Sequence, residues 1–105
     1  MNIKKPDFSE KETVKSLFQR KFPGAEIDFG FVSIPSGERL PKEGTTSHTE
    51  HEYAYIVKGS LSGESGGNPF EISAGEASYI PAGEKHWCVN KSKSACELVY
   101  ALIKA

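Results

Sequence analysis

Apolar positions change their spacing once along this chain, at Gly24. Before it, Val14, Leu17, Phe18 and Phe22 recur at intervals of three and four, which predicts a short amphipathic helix over 9–22. Ser9 followed by Glu12 has the form of a capping box, in which each side chain satisfies an unpaired backbone N–H of the first helical turn, and Pro23-Gly24 supplies the stop. After Gly24 the period becomes two: Ile27, Phe29, Phe31 and Ser33 alternate with Asp28, Gly30, Val32 and Ile34 until Pro35-Ser36-Gly37 breaks the run. Short strands are expected at 26–34, 46–58, 60–64, 70–73, 76–80, 85–90 and 95–104, each bounded by Gly, Pro or a cluster of small polar residues. Strands this short, spaced about ten residues apart, predict an all-β antiparallel sandwich or barrel. The division expected is a helical extension over 1–25 followed by a β-barrel over 26–105.

The strand expected at 46–58 sorts its residues by face. If it is extended throughout, Thr46, His48, Glu50 and Glu52 share one side with Ala54 and Ile56. Ser47, Thr49 and His51 share the other with Tyr53, Tyr55 and Val57. The first set is expected to line the interior and the second to pack outward or against a partner. A β-bulge near Thr49 would reverse that parity.

Composition narrows the partners. With 13 Lys+Arg against 14 Asp+Glu, the net charge of −1 offers no basic field for nucleic acid or an anionic membrane. The charged opening stretch Met1–Pro6 is followed by no apolar segment, and the longest apolar run, Leu98–Ile103, is too short to span a bilayer, so a cytoplasmic protein is expected. Cys88 and Cys96 match no zinc-finger spacing and are expected to be reduced, packed thiols, facing each other if 90–94 is a hairpin loop. Trp87, Tyr53, Tyr55, Tyr79 and Tyr100 are expected to be core or interface aromatics.

All three histidines, His48, His51 and His86, fall between Thr46 and Asn90. The second half of that stretch reads Gly75, five residues, Pro81-Ala82-Gly83, two residues, His86, three residues, Asn90, and it resembles the second conserved motif of the cupin family at every position. The first half resembles the first cupin motif in part: His48, Glu52 and Gly59 fit, but Thr46 stands where a first histidine belongs. Leu40 also stands in place of an expected glycine, with Gly44 close by. The resemblance covers residues 26–104. It implies a jelly-roll barrel, a dimer, and a divalent metal held inside by two or three histidines and one glutamate.

The chemistry of the residues agrees with a reduced version of that ligand set. Neutral imidazole and carboxylate suit Fe, Mn, Ni, Zn or Cu, and His48, Glu52 and His86 would form a two-His-one-carboxylate triad with open positions for a small-molecule ligand or substrate. Glu52, between apolar neighbours, is costly to bury without a cationic partner. Thr46 offers only a hydroxyl, which would hydrogen-bond a metal-bound water. Glu50 is read as a solvated carboxylate at the barrel mouth, with a base or an acceptor beside the site as the alternative, His51 as off-parity, and Cys88 as a packed thiol facing the same way as His86 and Asn90, with a thiolate ligand as the alternative. The leading expectation is a small metalloenzyme of oxygenase, isomerase or lyase type. Its competitors are a non-catalytic metal- or small-ligand-binding sensor and a metal-free barrel that mediates assembly.

Overall fold

The computed structural model describes residues 1–6 and 13–105, and its described residues form nine strands and no helix. The strands are β1 (Val14–Phe22), β2 (Ala25–Ile34), β3 (Arg39–Leu40), β4 (His51–Lys58), β5 (Ser60–Ser65), β6 (Asn68–Ser73), β7 (Ala77–Ile80), β8 (His86–Val89) and β9 (Cys96–Lys104). They build a five-stranded sheet, β1-β2-β9-β4-β7, and a four-stranded sheet, β3-β8-β5-β6, antiparallel throughout. The all-β jelly-roll expectation holds. Between the sheets lies a core of Val32, Ile34, Ile56, Leu61, Cys96, Leu98 and Tyr100, with Leu40, Ala54, Ile72, Cys88 and Leu102 packed against it. No helix among the described residues is long and apolar enough to cross a membrane.

The helix expected over 9–22 is corrected by β1, while its Ser9–Glu12 cap lies outside the described residues. β1 pairs with β2 from Val14↔Val32 to Phe22↔Ala25, and the register slips by one residue between Ser16 and Phe18. That bulge explains the misleading pattern. One extra residue in a strand moves the apolar positions beyond it out of strict alternation. The series 14, 17, 18, 22 then imitates helical spacing. Pro23-Gly24, read as a helix stop, is the two-residue turn of the β1–β2 hairpin, with Gly24 at φ +80.

Two further differences concern the middle of the chain. The strand expected from 46 begins only at His51, leaving 46–50 irregular apart from a single bridge between Thr46 and His86. Cys88 and Cys96 do not face each other across a hairpin, because β8 belongs to the smaller sheet and β9 to the larger. Both are free thiols, Cys96 fully buried. Within β4 the parity holds: Ile56 is 1% exposed, whereas Tyr53, Tyr55 and Val57 are 49%, 46% and 49% exposed on the outer face.

Candidate metal centre

Three ligand-type side chains converge at one end of the space between the sheets. His48 comes from the irregular approach to β4, Glu52 from β4 and His86 from the first position of β8. One ligand atom from each lies within 4.8 Å of the others. His48 Nε2 stands 3.6 Å from Glu52 Oε1, and the two imidazole rings meet edge to face with centroids 5.2 Å apart.

Backbone hydrogen bonds hold these pieces together across the sheets. Thr46 and His86 exchange N–H···O bonds of 3.0 and 2.9 Å, and the Gly83 N–H donates to the His48 carbonyl at 2.8 Å. The turn Pro81–Gly83, closed by the Glu84 N–H on the Pro81 carbonyl, thereby ties the second motif to the first. Asn90 anchors the far end of β8. Fully buried, its amide donates to the Ile34 and Ser94 carbonyls at 2.9 and 2.8 Å and accepts from the Ser92 N–H and hydroxyl. The last residue of the motif is therefore structural.

The tautomers of both histidines follow from their partners. His48 Nδ1 lies 2.8 Å from the Glu50 carbonyl and His86 Nδ1 2.9 Å from the Glu84 carbonyl. A carbonyl can only accept, so both Nδ1 atoms carry hydrogen, and in the neutral ring Nε2 is left with its lone pair. Those lone pairs belong to the same small group as the Glu52 carboxylate. His48 Nε2 is buried and has no hydrogen-bond partner among the described residues. A buried nitrogen without a partner is costly, and an imidazole oriented through Nδ1 by a carbonyl is how metal-ligating histidines are commonly held. The donor set and its orphaned atom fit a divalent transition metal.

The remaining candidates are sorted by geometry. Thr46 lines the cavity directly opposite His86 in the bridge, so the two side chains share a face. Glu50 contributes its carbonyl to His48, while its carboxylate accepts from the Thr49 hydroxyl at 2.8 Å, which holds its pKa below the ordinary carboxylate value. His51 is on the outer face, bonded through Nδ1 to the Tyr79 hydroxyl at 2.7 Å and stacked on that ring. Cys88 lines the cavity, and burial, reinforced by the Glu52 carboxylate, pushes its thiol up to about 11.

A cavity of about 760 Å³, lined by Glu52 and His86 of the three side chains, opens beside the group and is within the size range of small-molecule sites. Its walls include Ile34, Ala54, Ile56, Leu98 and Leu102. Sequence reasoning missed one polar group on this wall, formed by Ser16, Asp28 and Tyr100. Ser16 was hidden in the helix misreading, and nothing in the local pattern distinguishes Asp28 from an ordinary solvated residue of an alternating strand.

Comparison with known proteins agrees with the architecture. Residues 30–102 match the family model described as "Cupin domain". Among curated proteins, none matches the chain. The fold is similar to the Cnp3 cupin domain of Schizosaccharomyces pombe, with a TM-score of 0.75 and 19% identity over 88% of this chain and 64% of that one. It is similar to a cupin 2 conserved barrel domain protein from Salinispora arenicola, at TM-score 0.74 and 21% identity over 100% of this chain and 89% of that one. A predicted oxalate decarboxylase from Thermotoga maritima aligns at TM-score 0.66 and 20% identity, over 90% and 95% of the two chains. The chain thus spans less than two thirds of the fission-yeast chain and most of the other two, and at these identities the likeness is one of fold. With the family model matched over most of the two sheets and the second motif complete from Gly75 to Asn90, the chain belongs to the cupin family.

Proposed function

We propose that this chain is a small metalloprotein that holds one divalent transition metal through His48 Nε2, the Glu52 carboxylate and His86 Nε2. In this reading it acts as an enzyme of oxygenase, isomerase or lyase type on a small organic molecule in the adjoining cavity. The observation that carries the reading is the buried Nε2 of His48, which has no hydrogen-bond partner among the described residues and is grouped with a carboxylate and a second imidazole of the same tautomer. When bound, the metal would supply Lewis acidity or a binding point for a small oxygen-containing ligand. The chain's own residues do the rest. The Glu50 and Glu84 carbonyls orient the imidazoles, Glu52 supplies negative charge, and Ala54, Ile56, Leu98 and Leu102 exclude water from the reacting end of the substrate. A second reading, a non-catalytic binding or sensor module, is favoured by Thr46, whose hydroxyl leaves the site one strong ligand short of the motif.

Metal analysis tests the proposal. Protein prepared with Fe, Mn, Ni, Zn and Cu available is expected to retain close to one equivalent of metal, and His86→Ala to retain essentially none while keeping the wild-type far-ultraviolet dichroism. Wild-type protein that remains metal-free under these conditions would sink both metal readings. Product formation in a screen of small organic substrates, with and without O₂, separates the enzyme from the binding module.

Thr46→His is expected to tighten metal binding by about tenfold or more. Residues directly opposite in an antiparallel bridge hold their Cβ atoms about 5 Å apart, so the new imidazole would stand beside that of His86. Competition against a coloured chelator measures the change. Unaltered affinity would mean that position 46 does not face the metal.

A further inference from the structure

We propose that Asp28, held by Ser16 and Tyr100, is a second anchoring point in the cavity, and that it receives a cationic, hydrogen-donating group such as an organic ammonium at the end of the ligand remote from the metal.

The three residues meet on the wall formed by β1, β2 and β9. The Ser16 hydroxyl donates to Asp28 Oδ1 at 2.5 Å, and the Tyr100 hydroxyl approaches both Asp28 carboxylate oxygens, at 3.4 and 3.5 Å. The Tyr100 contacts are at the long limit of a hydrogen bond and leave the carboxylate with acceptor capacity unused. Tyr100 is 6% exposed, and burial, reinforced by the Asp28 charge, pushes its hydroxyl up to about 12, so it remains a donor. The arrangement is built rather than incidental. Gly30 leaves the space that the phenol occupies: a Cβ there would stand 2.5 Å from the Tyr100 hydroxyl oxygen and would strike the Lys15 carbonyl.

Register places this anchor relative to the metal centre. Asp28 pairs with Leu102, and Leu102 pairs with Glu52, so Asp28 and Glu52 sit in one row on the interior face, two strands apart. At the usual spacing between strands, their backbones are about 10 Å from each other. Leu102 lies between them, with Ala54 and Leu98 on the same wall. A ligand spanning the gap is therefore apolar in the middle and polar at both ends.

Charge decides the sign of the remote group. Asp28, Glu52, Glu71, Glu76 and Glu84 line the cavity, whereas no Lys or Arg among the described residues does. A dicarboxylate or a phosphate ester would bring its remote negative charge towards these carboxylates, while Arg20, Lys21 and Lys104 line a separate cavity that Asp28 also borders. Like charges in a partly desolvated site are mutually costly. An ammonium meets the opposite situation. It exchanges water for a carboxylate already oriented by two hydroxyls, a charge-assisted bond.

The inference rests on the metal reading only for the other end of the ligand. Three probes share a neutral, monodentate pyridine head and differ in the tail: 4-(2-aminoethyl)pyridine, 4-ethylpyridine and 3-(4-pyridyl)propionate. They are titrated calorimetrically into zinc-loaded and metal-free protein at about pH 8, where the ring nitrogen is neutral and the aliphatic amine charged. The ammonium probe is expected to bind zinc-loaded wild type about tenfold or more tighter than the carboxylate probe. In Asp28→Asn that ratio is expected to shrink to within about threefold, with 4-ethylpyridine little changed. Equal binding of the two charged tails, an unchanged ratio in Asp28→Asn, or no binding by any probe would overturn the proposal. The wild-type ratio needs no variant, and Asp28→Ser serves if Asp28→Asn proves unstable. Failure to retain zinc would overturn the metal reading alone, and the tail preference and its dependence on Asp28 are then judged in the metal-free protein by the same criteria.

Discussion

Gly63→Ala is expected to cost about 3 kcal/mol or more, a large part of the roughly 5–15 kcal/mol by which domains of this size are stable. Gly63 is buried in the middle of β5, paired with Phe70 of β6 on one side and Cys88 of β8 on the other. A Cβ added there would run into the Trp87 carbonyl oxygen and lie 2.9 Å from both the Trp87 carbonyl carbon and the Cys88 Cα. All three are backbone atoms, so no side-chain rotation relieves the contact and the β5–β8 ladder has to open. β8 begins at His86, so the same displacement would carry one of the three candidate ligands away from the other two. Denaturant unfolding measures the loss of stability, and metal titration of whatever folds should show weaker binding. A variant with wild-type stability would show that β5 and β8 do not approach this closely.

Asn90→Ala is expected to cost about 3 kcal/mol, because truncation removes four hydrogen bonds made by a fully buried amide that ties separate segments together. The amide of Asn90, 0% exposed, bonds two carbonyls from separate segments and accepts two bonds from Ser92. Replacing it removes the amide partner of the Ile34 carbonyl and of the Ser92 N–H, while the Ser94 carbonyl keeps the Ser92 hydroxyl at 2.9 Å. Asn90→Asp should be nearly as harmful. A carboxylate retains the acceptor but turns negative oxygen towards the two carbonyls that the amide nitrogen now satisfies. Thermal melts of both variants check this, and a melting temperature within a few degrees of wild type would mean that water replaces the amide without penalty.

Much of the barrel was legible because a strand with one buried face writes that face into its sequence at period two. β2, β4 and β9 are examples, and the alternation from Glu52 to Val57 assigned inside and outside correctly. Glycine and proline marked the turns for a similarly local reason, as at Gly59, where φ of +85 suits no other residue well. β1 was illegible because its bulge is a property of pairing with β2. Nothing within Val14–Phe22 announces that Ser16 will oppose Gly30 while Phe18 opposes Phe29.

The site divides along the same line. His48, Glu52 and His86 were named by motif spacing, which reflects local chain geometry around each ligand. An inward His48 follows by parity from an extended strand through 46–52, but His48 reaches the site through an irregular segment instead. The partners that set the imidazole tautomers are backbone carbonyls, those of Glu50 and Glu84, and a carbonyl leaves no mark in side-chain chemistry.

By itself, then, the sequence determined the all-β class, most strand positions, which face of β4 is buried and which three side chains are metal-ligand candidates. Each depends on residues close together in the chain, through the two-residue pleat or the turn conformations of glycine and proline. Only the tertiary structure decided that Val14–Phe22 is a strand, that Cys88 and Cys96 lie in different sheets, that His48 Nε2 is buried without a partner, and that Asp28 shares a row with Glu52. Those are facts of pairing and packing between segments, from the adjacent β1 and β2 to β2 and β9, about eighty residues apart at Glu26↔Lys104. Cross-strand register is set by the packing of whole sheets, and no single stretch of the chain contains it.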